Sequence, residues 1–377
     1  MAARRSGVDT RKVRICFSAI PAFGHVLPMV PLAAAAAAAG HEVSFVASSQ
    51  FDGRLPVPVW PGVPEGMTLQ DAEEETRAEI RGSADLAADP LGWPRAMFGV
   101  VMPRHIHPHL LRQWERHGRP DLVVHEGLNA GAAVAAAEVG VRAVSFHIAL
   151  APPGRFLEML EAATGVRTGT LIDPRPATWS ADDALDVDRI PLRSVAWSGP
   201  PAAPPPWLTV PASGPTAYVT LGTVAFGAVE VLRRSVLETA ARCARVVVAA
   251  GPGADVAALG DLPAHVHVER YVDQAQVLRY ADVAVHHGGT GTTLGCLAAG
   301  IPQVITPQGA DQFLNAARLV ELGLGDAVPN DAEPGAVGSA VDRLLGDTRL
   351  PAALGAVRDE IAAMPSPRQV VETLAHR

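Results

Sequence analysis

Residues 283–317 read VAVHHGGTGTTLGCLAAGIPQVITPQGADQFLNAA. An apolar strand from Val283 to His287 meets a turn at Gly288, Gly289 and Gly291, and a helical run follows to Ala299. Gln303 to Thr306 resume a strand, and Gln312 to Leu322 predict a second helix. Strand, helix, strand and helix joined by short turns specify a parallel sheet with covering helices. The glycines let a ligand approach the backbone where a strand feeds a helix, and the amides at that helix start attract phosphate. Gly289-x-Gly291-x-x-x-Gly295 carries its last glycine one residue too far for the G-x-G-x-x-G dinucleotide fingerprint. No Lys-Ser or Lys-Thr pair completes a P-loop either, so the pattern disfavours nicotinamide and ATP while keeping a phosphate ligand.

The same alternation extends outward from this stretch. Upstream of it, Ala217 to Leu221, Arg245 to Ala250 and Val266 to Glu269 read as strands, and Val229 to Arg242 as a helix. In the first half, Val13 to Ala19 reads as a strand, Val26 to Ala39 as a helix closed by Gly40, and His41 to Ala47 as a strand. Asp121 to His125, Gly131 to Gly140 and Ala143 to Phe146 repeat the order. Between the halves lies GPPAAPPPWLTVPASGP, residues 199–215, whose prolines neither donate to a ladder nor sit inside helices. The expectation is an α/β chain of two Rossmann-like domains, residues 1–205 and 206–359, with a C-terminal helix at about 360–377 packing back onto the first. Ligands of open parallel sheets gather beyond the carboxyl ends of the strands, here in the cleft between the domains.

Composition narrows the function. With 377 residues, 48% hydrophobic and 19% charged, the chain is globular and long enough for two cores. A net charge of −8 without a basic run argues against nucleic acid. Cys16, Cys243 and Cys296 are odd in number and widely spaced, which fits a reducing cytoplasm and draws neither a disulfide framework nor a zinc cage. The apolar N-terminal stretch is interrupted at Asp9 to Arg14 and again by Gly24, His25, Pro28 and Pro31, so it reads as strand, loop and helix and not as a leader or a membrane span.

With these residues in view, the chain resembles the GT-B nucleotide-sugar glycosyltransferases, particularly the bacterial enzymes that decorate antibiotics and other natural products. Three elements carry the likeness in order and spacing: the loop Tyr271-Val272-Asp273-Gln274, the turn from His287 to Thr292, and Asp311-Gln312 before Asn315. The resemblance implies a donor site in which Tyr271 lies along the base, Val272 offers it backbone bonds, and Gln274 belongs to the same loop. His287, Gly289, Gly291 and Thr292 would hold the pyrophosphate with Thr223 of VTLGT, and Asp311 and Gln312 would grip sugar hydroxyls. Many UDP-sugar relatives carry a glutamate on the ribose hydroxyls where this chain has Gly295; a deoxyribose lacks the 2'-hydroxyl, which favours a dTDP-sugar. Asp273 departs from the proline common in this loop.

The segment PAFGHVLPM resembles the family's G-H-x-x-P loop, which implies that His25 is the general base, and Glu126 of PDLVVHE stands where an acidic partner is often found. An imidazole titrates near neutrality, and attack opposite a leaving diphosphate inverts the anomeric carbon. The middle of the first domain contributes to the acceptor pocket in such enzymes, which names Trp93, Phe98, Met102 and His147, residues equally suited to filling a core. His286 points away from His287 along its strand and reads as structural. His105, His107 and His109 lie in a stretch that reads as helical after Pro108 and lack a matching ligand set, and Asp186 and Asp188, with Asp182 and Asp183, read as a solvated turn, so no metal is expected. The resulting expectation is a cytoplasmic, metal-independent, inverting transferase moving a deoxysugar from dTDP to a hydroxyl of a hydrophobic aglycone, without a resident cofactor and with homodimerisation open. A nucleotide-sugar epimerase, a C-glycosyltransferase and a non-catalytic partner of the same fold are the alternatives.

Overall fold

In the computed structural model, residues 12–180, 186–197, 199, 203–222, 229–251 and 255–377 are described. Their strands are β1 (Arg14–Ser18), β2 (Glu42–Ala47), β3 (Val59–Pro61), β4 (Leu122–Glu126), β5 (Arg142–Phe146), β6 (Thr170–Asp173) and β7 (Asp188–Pro191) in the first half. The second half supplies β8 (Thr216–Thr220), β9 (Arg245–Ala249), β10 (Val266–Glu269), β11 (Val283–His286), β12 (Gln303–Ile305) and β13 (Gly325–Ala327). They form two sheets, ordered β3-β2-β1-β4-β5-β6-β7 and β10-β9-β8-β11-β12-β13. Every pairing is parallel.

The central strands β4, β8, β9 and β11 are buried at every residue, which is why they read as continuous apolar runs and not as alternation. Each sheet reverses its winding once, between β1 and β4 in the first and between β8 and β11 in the second. Those two reversals are the positions where a crevice opens at the strand ends.

Two helices differ from the sequence expectation, both because of proline. The run from Val26 is broken into a short turn (Phe23–Val26), a tighter turn (Leu27–Met29) and the helix Val30–Ala38, because Pro28 and Pro31 lack the N–H that a continuous helix needs and settle in first turns instead. Gly40, at φ +89°, ends it. Conversely, the helix Met102–His117 starts before Pro108 and carries it inside. His105 and His107 on that helix pair with Glu75 and Glu138 at 2.9 and 2.7 Å, and His109 bonds the His105 carbonyl. Asp186 pairs with Arg167, while Asp188 begins β7 and pairs with Arg377, so this second aspartate lies in a sheet and not in a turn. Asp182 and Asp183 lie outside the described residues.

The two halves exchange pieces. The C-terminal helix Pro367–His376 places Val370, Val371 and Leu374 in the core of the first sheet, beside Val30 and Ala33. In the other direction, Leu150 and Trp179 of the first half are buried with Leu294, Leu297, Leu319 and Leu354 of the second. The Trp179 indole N–H donates to the Leu150 carbonyl at 3.1 Å, so its polar edge is satisfied inside that apolar cluster. All three cysteines are buried thiols. Among the described residues no helix is long and apolar enough to cross a membrane.

Candidate active site

Side chains singled out by sequence sit at both winding reversals. In the first sheet, Ser18 at the end of β1 is in register with His125 of β4, so Glu126 is the next residue outward. The chain leaving β1 turns back and sets His25 on the one-turn helix Phe23–Val26. Its Nδ1 lies 2.6 Å from Glu126 Oε2, with the imidazole 19% exposed and the carboxylate wholly buried. A carboxylate has no proton to give, so Nδ1–H donates and the Nε2 lone pair is left to accept one. Glu126 Oε1 is buried without a hydrogen-bond partner among the described residues, which makes the His25 bond the carboxylate's principal compensation for lost water. Asn129, fully buried, donates to Ser18 Oγ at 2.9 Å and caps the helix Ala130–Glu138 through Ala132 N–H, tying the ends of β1 and β4 together.

In the second sheet, His287 follows β11 and its imidazole is wedged between two loops. A Cβ at Gly222 would lie 2.6 Å from ring Nε2, and one at Gly289 would lie 2.4 Å from the same atom. Only glycine leaves room for the ring at either place. Burial pulls the His287 pKa down to about 4, with the Thr220 carbonyl opposing only in part. The side chain is therefore neutral at physiological pH and not a cation. Beside it, Gly289 caps the helix Thr290–Ala299 without a side-chain bond, so the first amides of that helix remain for an acceptor, and the space at Gly291 is open.

His286 is the scaffold of this turn. Its Nδ1 accepts the Gly288 N–H at 3.0 Å, which leaves Nε2–H to donate to Gln303 Oε1 at 2.8 Å. Burial first, and the neighbouring His287 second, push its pKa down to about 3. Gly288, at φ +88°, takes a conformation that favours glycine, and a Cβ there would meet Ile305 Cγ2 at 2.7 Å.

The other residues expected to contact a donor follow. Thr292 Oγ1 donates to Gln274 Oε1 at 3.1 Å. Asp273 in place of proline caps the short helix Gln274–Val277, its Oδ1 accepting the Gln276 N–H at 3.2 Å, so the loop keeps a defined shape. Val272 packs against the cluster of Leu208, Tyr218 and Val277, while Tyr271 stays 51% exposed. Asp311 precedes the helix Gln312–Glu321, and its Oδ2 accepts from Thr290 Oγ1 at 3.3 Å. Gln312 is turned inward, its Oε1 holding the Gln308 and Gly309 N–H groups at 2.7 and 3.2 Å, which leaves only its amide NH2 for a ligand. Thr223 lies outside the described residues.

Of the acceptor set, Trp93 is 40% exposed with Arg77 stacked 5.7 Å from its ring, and Phe98 is half-buried. Met102 has no exposure at all and fills the core with Val101, Ile106 and Leu110, which corrects its assignment to a pocket wall. His147 is buried too, its Nε2 bonded to the Ala151 carbonyl, so it fastens its own loop. Asn129 and Thr290 were not singled out by sequence. Asn129 had a signal in its place just before a small-residue helix, as an N-cap.

Comparison with known proteins follows the same outline. Residues 234–376 match the family described as erythromycin biosynthesis protein CIII-like, C-terminal domain. The L-demethylnoviosyl transferase of Streptomyces niveus is 31% identical over 96% of this chain and 98% of its own length. The elloramycin glycosyltransferase ElmGT of Streptomyces olivaceus is also 31% identical, over 96% and 97%. Among solved structures, the glycosyltransferase SnogD from Streptomyces nogalater superposes with a TM-score of 0.82 at 28% identity, covering 97% of this chain and 99% of that one.

Proposed function

The chain belongs to the family of GT-B glycosyltransferases of antibiotic biosynthesis, and from that premise we propose that it transfers a deoxysugar from dTDP to a hydroxyl of a hydrophobic natural product, inverting the anomeric carbon. The observation that carries the reading is the His25–Glu126 pair at the reversal of the first sheet. With Nδ1–H held by the carboxylate, Nε2 takes the proton of the acceptor hydroxyl as its oxygen attacks, and the imidazolium that forms is stabilised by Glu126. Positive charge develops where a buried negative one already stands.

The leaving diphosphate gathers charge as the glycosidic bond breaks. The amides at Thr290, Gly291 and Thr292 are fixed donors for it, prepared before the reaction and therefore costing no reorganisation, with the neutral His287 ring packed beside them. A bound divalent ion is not needed in this scheme, and turnover in excess EDTA is expected to equal that without it. Gly295 supports dTDP: a Cβ there would lie 2.7 Å from Gln274 Nε2, so the Gln274 amide occupies the space from which a longer side chain would reach a ribose 2'-hydroxyl.

The deciding experiment incubates the chain with a dTDP-sugar and a panel of polyketide and aromatic aglycones, with products read by mass spectrometry and anomeric configuration by NMR. A glycosylated aglycone of inverted configuration is expected. A donor epimerised without acceptor, or retention at the anomeric carbon, would overturn the assignment.

A further inference from the structure

Asn315 lies four residues beyond Asp311, on the same face of its helix, and is 1% exposed. Its Nδ2 donates in two directions: 2.8 Å to the carbonyl of Gly288, in the turn that presents His287, and 3.2 Å to Asp311 Oδ2. The same Oδ2 accepts from Thr290 Oγ1, on the first residue of the helix whose amides face the diphosphate. Two donors therefore hold one oxygen of Asp311, leaving Oδ1 as the oxygen available to a hydroxyl. Asn315 Oδ1 is itself buried without a partner among the described residues, so its orientation is set by the two bonds its amide group donates. Immediately before Asp311, Ala310 stands at φ +54°, the only non-glycine residue with positive φ among those described. Such a conformation persists where surrounding contacts over-determine it.

We propose that Asn315 is a positioning residue that locks the sugar-facing carboxylate of Asp311 to the diphosphate turn at Gly288, so that the sugar and diphosphate halves of the donor are recognised as one unit. The inference rests on the nucleotide-sugar reading of this site and deepens it. A carboxylate fastened in this way offers its free oxygen in one direction only, and it does so in register with the amides that hold the phosphates. Removing Asn315 frees the carboxylate to rotate, and the discrimination between dTDP and a dTDP-sugar falls.

The test measures dissociation constants for dTDP and for dTDP-glucose, as probes, by calorimetry on the full chain and on Asn315→Ala, Asp311→Ala and the double variant. Wild-type chain is expected to prefer dTDP-glucose over dTDP. Asn315→Ala is expected to reduce that preference about 10-fold, as loss of a hydrogen bond to a charged group implies. In the Asp311→Ala background the same change is expected to alter the preference by less than about 3-fold, because the two residues act through one contact. Asn315→Ser, which shortens the arm while keeping a polar group, serves where the alanine variant fails to fold. An unchanged preference in the single variant, or effects of Asn315 and Asp311 that multiply, would overturn the proposal. A wild-type chain that takes up neither probe would overturn the donor-site reading itself, and this inference with it.

Discussion

His25 Nδ1 and Glu126 Oε2 stand 2.6 Å apart across the reversal between β1 and β4. The two residues are a hundred and one positions apart in the chain, and what joins them is the register of two parallel strands. His25→Ala is expected to lower turnover about 100- to 10,000-fold while dTDP affinity changes by less than about 3-fold. Glu126→Gln keeps the shape but removes the charge that would stabilise imidazolium in the proposed mechanism, and its turnover is expected to fall about 10- to 100-fold. Steady-state kinetics beside dTDP calorimetry check both; a His25→Ala chain with near-native turnover would require a different base.

Gly289→Ala tests the pocket around His287 by sterics alone. The residue has an ordinary backbone conformation, yet its new methyl would lie 2.4 Å from the ring. The imidazole must swing away, and dTDP affinity is expected to drop at least about 10-fold, with the melting temperature within a few degrees of wild type. Gly222→Ala adds backbone strain at φ +79° to a similar clash and should lose both affinity and stability.

The proposed preference for deoxyribose is tested by building in a carboxylate. Gly295→Glu alone collides with Gln274, whereas Gly295→Glu combined with Gln274→Ser makes space for it. The double variant is expected to shift the UDP-to-dTDP affinity ratio about 10-fold toward UDP. A ratio that stays put in a folded double variant would detach Gly295 from nucleotide choice.

Acid stability follows from the two adjacent histidines. Both titrate below the ordinary imidazole value of 6.5, His286 at about 3 and His287 at about 4, so the unfolded chain binds protons that the folded chain refuses. Their neutral burial carries no penalty above pH 6.5, and stability falls as pH drops from there toward 4. Urea denaturation at pH 7.5 and 5.0 is expected to show a loss on the order of a few kcal/mol. In His286→Gln the absolute stability should be lower at pH 7.5 and the difference between the two pH values smaller.

The site was legible in sequence wherever its chemistry is local. The glycines, His287 and Asp311 lie within one strand-helix-strand-helix segment, and short-range pattern suffices to place them. The pairing of His25 with Glu126 came from a family likeness, and its geometry from the order of strands. Sequence was silent on β3, β6, β7 and β13, whose three or four residues include proline, aspartate or glycine, whereas the equally short β10 and β12 carry valines that mark them as strands. Met102 and His147 stayed open between two roles for a related reason: a methionine or histidine beside a pocket and one inside a core look alike until the packing partners are known. At Pro108, where a proline normally marks a helix start, helix Met102–His117 instead tolerates the lost hydrogen bond.

The exchange of elements between the halves bears on how such enzymes recombine. A chimera spliced once, in the proline-rich stretch, would join a first half from one parent to a second half that still ends in the wrong parent's Pro367–His376, leaving Val370, Val371 and Leu374 against a foreign core. Two junctions are required, the second near Pro365, where the Arg193 N–H meets the returning chain. Even then Trp179 must find a socket shaped for it. Swapping specificities by domain shuffling is thus limited less by the catalytic residues than by three apolar side chains on the last helix and one indole on the opposite side.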